Sequence, residues 1–279
     1  FLMGRWMARL GLDGRAFVMQ LMGMGCNVPA IMGTRVLRSR GSRLLAMLAI
    51  PFSLCSARLQ VLVFVAAAFF SRQAAPLVLA SLYAVSFIVA FATALIWRRR
   101  FAGDEPLLLE MPPYRLPTLR ALFAQGWRSS RHFLENAGGF IVAGVLLIWW
   151  LTHYPFDAVP ASPQTLAGQL AALASPVFAP IGIDSILSIA LIFGFVAKEI
   201  VLGGLAVIYG AGQDELGQLL ASRLTWQQAA SFMLFTLVYT PCLSTVATIW
   251  RESRSAAFTL LSVVWPLAVA WLLSFAFYS

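Results

Sequence analysis

The chain has 279 residues, 60% of them hydrophobic and only 11% charged, with a mean hydropathy of +0.82 and a formal net charge of +9. Soluble domains carry about a quarter charged residues, so this composition excludes one and points to an integral membrane protein. The positive excess is mostly arginine at the edges of apolar runs, which speaks to topology and anionic lipids. No basic strip interleaves with aromatics as a nucleic-acid track does, and nucleic acid is not an expected partner.

At about 20 residues per membrane helix, the expected fold is an all-α polytopic membrane protein with about six to seven membrane segments. Residues 1–15 place Leu2, Met3, Trp6, Met7 and Leu10 on one helical face and Arg5, Arg9 and Asp13 on another. That pattern predicts an interfacial amphipathic helix. A first half follows over 16–97. It holds a membrane segment interrupted near Gly25–Pro29, then a water-facing turn with Arg35, Arg38, Arg40 and Arg43. A segment over 44–70 comes next, interrupted by Pro51 and carrying Arg58, and an uninterrupted run ends at Arg98-Arg99-Arg100. Residues 98–131 form an arginine-bearing polar loop with "LEMPPYRLP", closed by a short amphipathic helix around Leu119, Leu122, Phe123 and Trp127.

The stretch 132–184 is a span plus a loop. Trp149, Trp150 and Tyr154 form an aromatic belt, and no Lys or Arg occurs from His132 to Ala197. The positive-inside rule therefore makes 98–131 cytoplasmic and the loop up to 184 external. A second half, 185–279, offers apolar segments at 185–209, 228–250 and 256–278. Three crossings would leave the C-terminus in the cytoplasm and put Arg251 and Arg254 outside, against the rule, unless some segments are broken or re-entrant.

Lys198, the only lysine, stands beside Glu199 near the middle of the 185–209 segment. A charge at that depth is costly and by default marks a solute pathway or an ion pair. Adjacent residues on a helix do not face each other, so each needs its own partner. "LMGMGCNVPAI" aligns weakly with "LIFGFVAKEIV", and "LAIPFSLCSA" with "LVYTPCLSTVA". Paired interrupted segments in two halves are the sequence pointer to a transporter site. Broken helices free backbone carbonyls, and carbonyls favour cations. Cys26, Cys55 and Cys242 add soft sulfur ligands close to Pro29, Pro51 and Pro241, while Asn27, Ser53, Ser244, Thr245 and Glu199 offer oxygens. Mixed sulfur and oxygen ligation suits a transition metal. Each cysteine could equally be a small buried hydrophobe, Cys55 most readily. An odd number of cysteines in apolar segments is no disulfide framework. His153 reads as an interfacial residue.

In order, "GLDGRAFVMQLMGMGCNVPAIMGTR", "IPFSLCSARL", "EMPPYRLP", "VAKEIVLGGL" and "YTPCLSTVATIWRE" resemble the membrane domain of FeoB ferrous-iron transporters over nearly the whole chain. The resemblance implies that the two halves are paired gate domains carrying Fe2+ as substrate across the bacterial inner membrane. Cys26 matches the family's Gly-Cys-Asn gate and Cys242 its Pro-Cys gate, both proposed in the family as iron ligands along the pore. Lys198 and Glu199 match the family's membrane pair, with Gly25, Pro29, Pro51, Pro241 and Ser244 shaping the gates. Glu110, Pro113, Tyr114 and Arg115 match a loop motif that is a candidate contact for a G domain. These residues contain no G-x-x-x-x-G-K-[ST] loop, so GTP would act only through a G domain supplied in cis or in trans. The first residue is Phe1, and the chain is expected to be a fragment or a processed product. Its partners would be the lipid bilayer, ferrous iron and a G domain, with further copies of the chain left open. The alternatives are a nucleoside-type organic solute carrier and a non-transporting membrane scaffold. No H-E-x-x-H or G-x-S-x-G motif argues for an enzyme.

Overall fold

The computed structural model describes residues 7, 12, 14–37, 39–101, 118–155, 164–209 and 212–279. Most of the interfacial helix expected over 1–15, and all of Glu110, Pro113, Tyr114 and Arg115, lie outside the described residues. Among those described, every regular element is helical.

Helix α1 (Gly14–Gly23) and helix α2 (Asn27–Gly33) form a hairpin. Met24, Gly25 and Cys26 turn the chain, Cys26 in extended backbone with φ −151° and ψ 132°. Pro29 falls in the first turn of α2, where its missing N–H has no intrahelical partner to lose. The arms run back alongside each other: Arg15 donates to the Val36 carbonyl at 3.2 Å, and Gly33 lies against the Met19 sulfur. This segment enters the membrane and returns.

Helix α3 (Arg40–Ala49) passes through a 3-10 turn (Ile50–Phe52) and an extended Ser53–Cys55 into helix α4 (Ser56–Phe69), and helix α5 (Ala74–Phe101) follows. Helix α6 (Leu119–His153) is continuous over 35 residues, about 50 Å at 1.5 Å per residue. The short amphipathic helix expected after Leu119 and the span expected over 133–151 are thus one helix, because no proline interrupts that stretch. Helix α7 (Leu166–Phe178) and a 3-10 turn (Ala179–Ile181) lead to helix α8 (Ser185–Val196) and helix α9 (Ile200–Tyr209). Then come α10 (Gln213–Arg223), α11 (Trp226–Val238), α12 (Leu243–Ser253) and α13 (Ala256–Tyr278).

Four stretches are long and apolar enough to cross a bilayer: Arg40–Phe69, Ala74–Phe101, Trp226–Ser253 and Ala256–Tyr278. A fifth is added if α7 with its 3-10 turn and α8, bent by 106°, count as one span. The protein is a multi-pass membrane protein, and six to seven segments was approximate because two of them are hairpins. In the second hairpin Gly204 of α9 sits on the Phe193 ring of α8, and Tyr209 returns within electrostatic reach of Asp184. The segment 185–209 therefore goes back to the side it came from.

The topology follows. Arg35, Arg40 and Arg43 share one cavity with Arg251 and Arg254, and Phe101 at the end of α5 meets Phe258 edge-on at 5.6 Å. All these arginines, with Arg98–Arg100, gather on one side, which the positive-inside rule makes cytoplasmic. At the other side Tyr278 packs on Gly182, Ser274 donates to the Ser231 carbonyl at 3.4 Å and Ser231 to the Ile181 carbonyl at 2.6 Å. The three crossings expected after the loop that ends at 184 are thus corrected to two. Arg251 and Arg254 obey the rule, and the C-terminal Tyr278 lies on the opposite side from them. The molecule is two units of hairpin, broken span and span: α1–α2, α3–α4, α5, then α8–α9, α11–α12, α13. The hairpins enter from opposite faces, the arrangement of an inverted repeat. The two largest apolar clusters seal the units, one around Phe52, Leu62, Phe232 and Phe235 and one around Ile31, Leu45, Leu48 and Ile249.

Candidate functional site

The four helix breaks converge, and each cysteine stands at one of them. Cys26, Cys55 and Cys242 are each the extended residue immediately before a helix, α2, α4 and α12 in turn. A helix start carries partial positive charge and attracts negative charge, the sign a thiolate supplies. Cys26 lies within electrostatic reach of Cys55, Cys242 and Glu199, and Lys198 within reach of Arg58, Cys55, Cys242 and Glu199.

The chain breaks here because backbone hydrogen bonds are withheld. Pro241 has no N–H to give the Leu237 carbonyl four residues earlier, so α11 ends at Val238. A carbonyl freed at membrane depth must find another donor. Arg58, 1% exposed, supplies it: its Nη1 donates to Leu237 at 3.0 Å and to Pro51 at 2.7 Å, and its Nη2 to Tyr239 at 2.9 Å. One guanidinium thus closes the breaks of both broken spans. Lys198, 3% exposed, donates to the Thr240 carbonyl at 2.8 Å with its Nζ 3.2 Å from the centre of the Tyr239 ring. The first hairpin is sewn in similarly. Ser56 donates to the Gly25 carbonyl from its N–H at 3.3 Å and its hydroxyl at 3.0 Å, and Gln20 donates to the Ala49 carbonyl at 3.3 Å.

Two expectations change. Several of the freed carbonyls are taken by the protein's own donors, so they are not open to a passing cation. Lys198 also does not pair with Glu199: among the described residues the ion pairs are Arg35–Glu252 and Arg43–Glu252, and Glu199 is exposed. The reason is local: in the turn between α8 and α9 the Thr240 carbonyl and Tyr239 ring capture the ammonium. What remains for a cation is side chains. Cys26 is exposed and Cys242 half-buried, with its sulfur 3.1 Å from the Thr245 hydroxyl. Asn27 is buried with its Oδ1 lacking a hydrogen-bond partner. Ser244 is buried in the first turn of α12, and Cys55 is 9% exposed. No three Cys, His, Asp or Glu side chains are gathered as a metal shell among the described residues. His153 bonds the Trp149 carbonyl at 2.9 Å and stacks on that indole, away from the thiols.

The thiols should differ in reactivity as they differ in exposure. In detergent, a maleimide is expected to label Cys26 first, Cys242 next and Cys55 slowest, read by mass spectrometry of the peptides over time. Cys55 reacting as fast as Cys26 would contradict this packing.

Sequence reasoning passed over Tyr239, Thr240 and Ser56 and left Arg58 without a partner. The signal for Arg58 was its position within an apolar run. The carbonyls it serves have no signature of their own.

Residues 1–69 and 134–256 match the Gate family model, described as nucleoside recognition, and residues 79–128 match the model of the ferrous iron transport protein B C terminus. The Fe(2+) transporter FeoB of Synechocystis sp. is 50% identical over 281 residues, covering 100% of this chain and 45% of the relative. That of Methanocaldococcus jannaschii is 38% identical, covering 90% of this chain and 39% of the relative. That of Staphylococcus aureus is 34% identical, covering 99% and 42%. The chain spans less than half the length of these relatives. No solved structure matches it.

Proposed function

Since the chain belongs to the FeoB family, as a membrane region that the Gate model covers over more than half its length, we propose that it conducts Fe2+ across the bacterial inner membrane into the cytoplasm. The observation that carries this reading is the placement of Cys26 and Cys242 at helix breaks, one at the tip of a hairpin entering from the arginine side and one in the opposite unit. Such a pair can hand a soft-accepting cation between sulfur ligands at mid-membrane depth, with Glu199 supplying negative charge and the Asn27 Oδ1 a neutral oxygen. Thiols bind as thiolates, so loading releases protons. Affinity alone would favour copper or zinc over iron, so selection for Fe2+ rests on geometry and supply. Transport then needs no chemistry on the cargo. A G domain, in cis or in trans, would couple GTP to the gates, with Glu110–Arg115 and the start of α6 as its contact. The Gate model's description speaks of nucleosides, but the relatives matching this chain end to end carry the Fe(2+) transporter name, and the nucleoside reading is not favoured.

The test is anaerobic Fe2+ binding to the purified chain in detergent. Wild type is expected to bind saturably and Cys26→Ser/Cys242→Ser to lose at least tenfold in affinity. Equal binding by the folded double variant overturns the assignment.

A further inference from the structure

We propose that the arginine-lined cavity at the cytoplasmic mouth is a binding site for the phosphate of an anionic lipid headgroup. It encloses about 770 Å3 between the exit of the first hairpin, the start of α3 and the end of α12. Among the described residues Arg35, Arg40, Arg43, Arg251 and Arg254 line it, and Glu252 is the one acid.

That acid is already committed. Glu252, its side chain 6% exposed, accepts from Arg35 and from Arg43, so it positions these two rather than neutralising the rest. The guanidinium groups of Arg40 and Arg254 have no hydrogen-bond or ion-pair partner among the described residues. The Nε of Arg43 is buried with no acceptor, a donor taken out of water without compensation. Arg254 holds φ 49° and ψ 37°, a left-handed conformation that a non-glycine residue seldom adopts. Guanidinium forks suit phosphate oxygens, which they bind two at a time.

Two features favour a lipid over free phosphate. Half-buried Leu44 of α3 lines the same cavity, backed by buried Met47, so it offers apolar surface beside the cations, as a headgroup and the start of its acyl chains require. The cavity also lies on the face where the arginines gather, at the level of the cytoplasmic leaflet, whose anionic lipids attract such clusters. A bound headgroup would bridge both units, joining Arg40 of the first to Arg254 of the second.

The experiment is native mass spectrometry of the whole chain in a neutral detergent, titrated with phosphatidylglycerol, with phosphatidylcholine and separately with inorganic phosphate. Arg40→Gln/Arg254→Gln leaves the Arg35–Glu252–Arg43 contacts in place, and Arg40→Lys/Arg254→Lys keeps the charge. The expected result is at least tenfold preference for phosphatidylglycerol over phosphatidylcholine, lost in the Gln pair and largely kept in the Lys pair. Inorganic phosphate binding lost in the Gln pair, without any lipid preference, would keep the phosphate site but overturn the lipid as its source. Equal binding of both lipids with no phosphate bound, or a preference unchanged in a folded Gln pair, overturns the proposal.

Discussion

Replacing Arg58 with methionine is expected to destabilise the fold by about 3–5 kcal/mol, enough to lower the thermal midpoint in detergent by roughly 10 °C or more. The carbonyls of Pro51, Leu237 and Tyr239 all depend on this one side chain. A buried acceptor that loses its partner costs about 1–3 kcal/mol, and in a chain of this length each kcal/mol moves the midpoint by about 2–4 °C. Methionine fills much of the volume, so the loss isolates the hydrogen bonds and avoids leaving a charge behind. Leu237 cannot recover a partner within its own helix, because Pro241 occupies the position that would have donated. Arg58→Lys is expected to fall between wild type and methionine, since an ammonium lacks the planar fork that reaches two directions at once. Both broken spans should loosen together, seen as faster labelling of Cys55, which is buried beside the first break. A change under about 1 kcal/mol for the methionine variant would mean that water already serves these carbonyls and that Arg58 is not the clamp.

Three of the four breaks were legible in sequence, while the one at 197–199 carries neither proline nor glycine. Gly25 with Pro29, Pro51 and Pro241 withhold donors or loosen the backbone at fixed positions, and the helices end where that bookkeeping requires. The fate of each break was not legible. Residues 14–36 and 40–69 are both apolar runs with a proline interruption, yet the first turns back and the second crosses. The difference lies in tertiary contacts such as Arg15 on Val36 and Gly33 on Met19. The same holds for 185–209, whose apolar length reads as a crossing until Gly204 is seen resting on Phe193. Charge gave the better guide to topology. Arg251 and Arg254 contradicted three crossings, and that contradiction was the sequence's own evidence for a hairpin. That Cys26 and Cys242 stand at helix breaks was readable from the nearby prolines, whereas the partners of Lys198 and Arg58 were not, since a backbone carbonyl looks the same at every position. Lys198 and Glu199 are neighbours in the turn between α8 and α9, where the Thr240 carbonyl takes the ammonium and Glu199 stays exposed.

Lys198→Met is expected to change stability and metal affinity in opposite directions. The ammonium holds the Thr240 carbonyl and lies over the Tyr239 ring, two contacts that suit a cation and are worth more when water is excluded. Losing them should cost about 1–3 kcal/mol of stability. The same side chain brings a positive charge into the cluster that contains Cys242 and Glu199, and like charges repel more strongly where water is excluded. Removing it should therefore raise affinity for a divalent cation at the thiols by at least about tenfold, equivalent to about 1.4 kcal/mol. Anaerobic Fe2+ titration and thermal unfolding of the same preparation separate the two effects. Tighter binding in a less stable protein would identify Lys198 as a tethered cation that keeps the empty gate closed against adventitious ions. Weaker binding with the fold retained would reverse the assignment and make Lys198 a residue that supports the ligand geometry. The Arg58→Met variant serves as the control. It also removes a buried cation near the thiols, but it breaks both spans' closures, so it should lose stability without the clean gain in affinity.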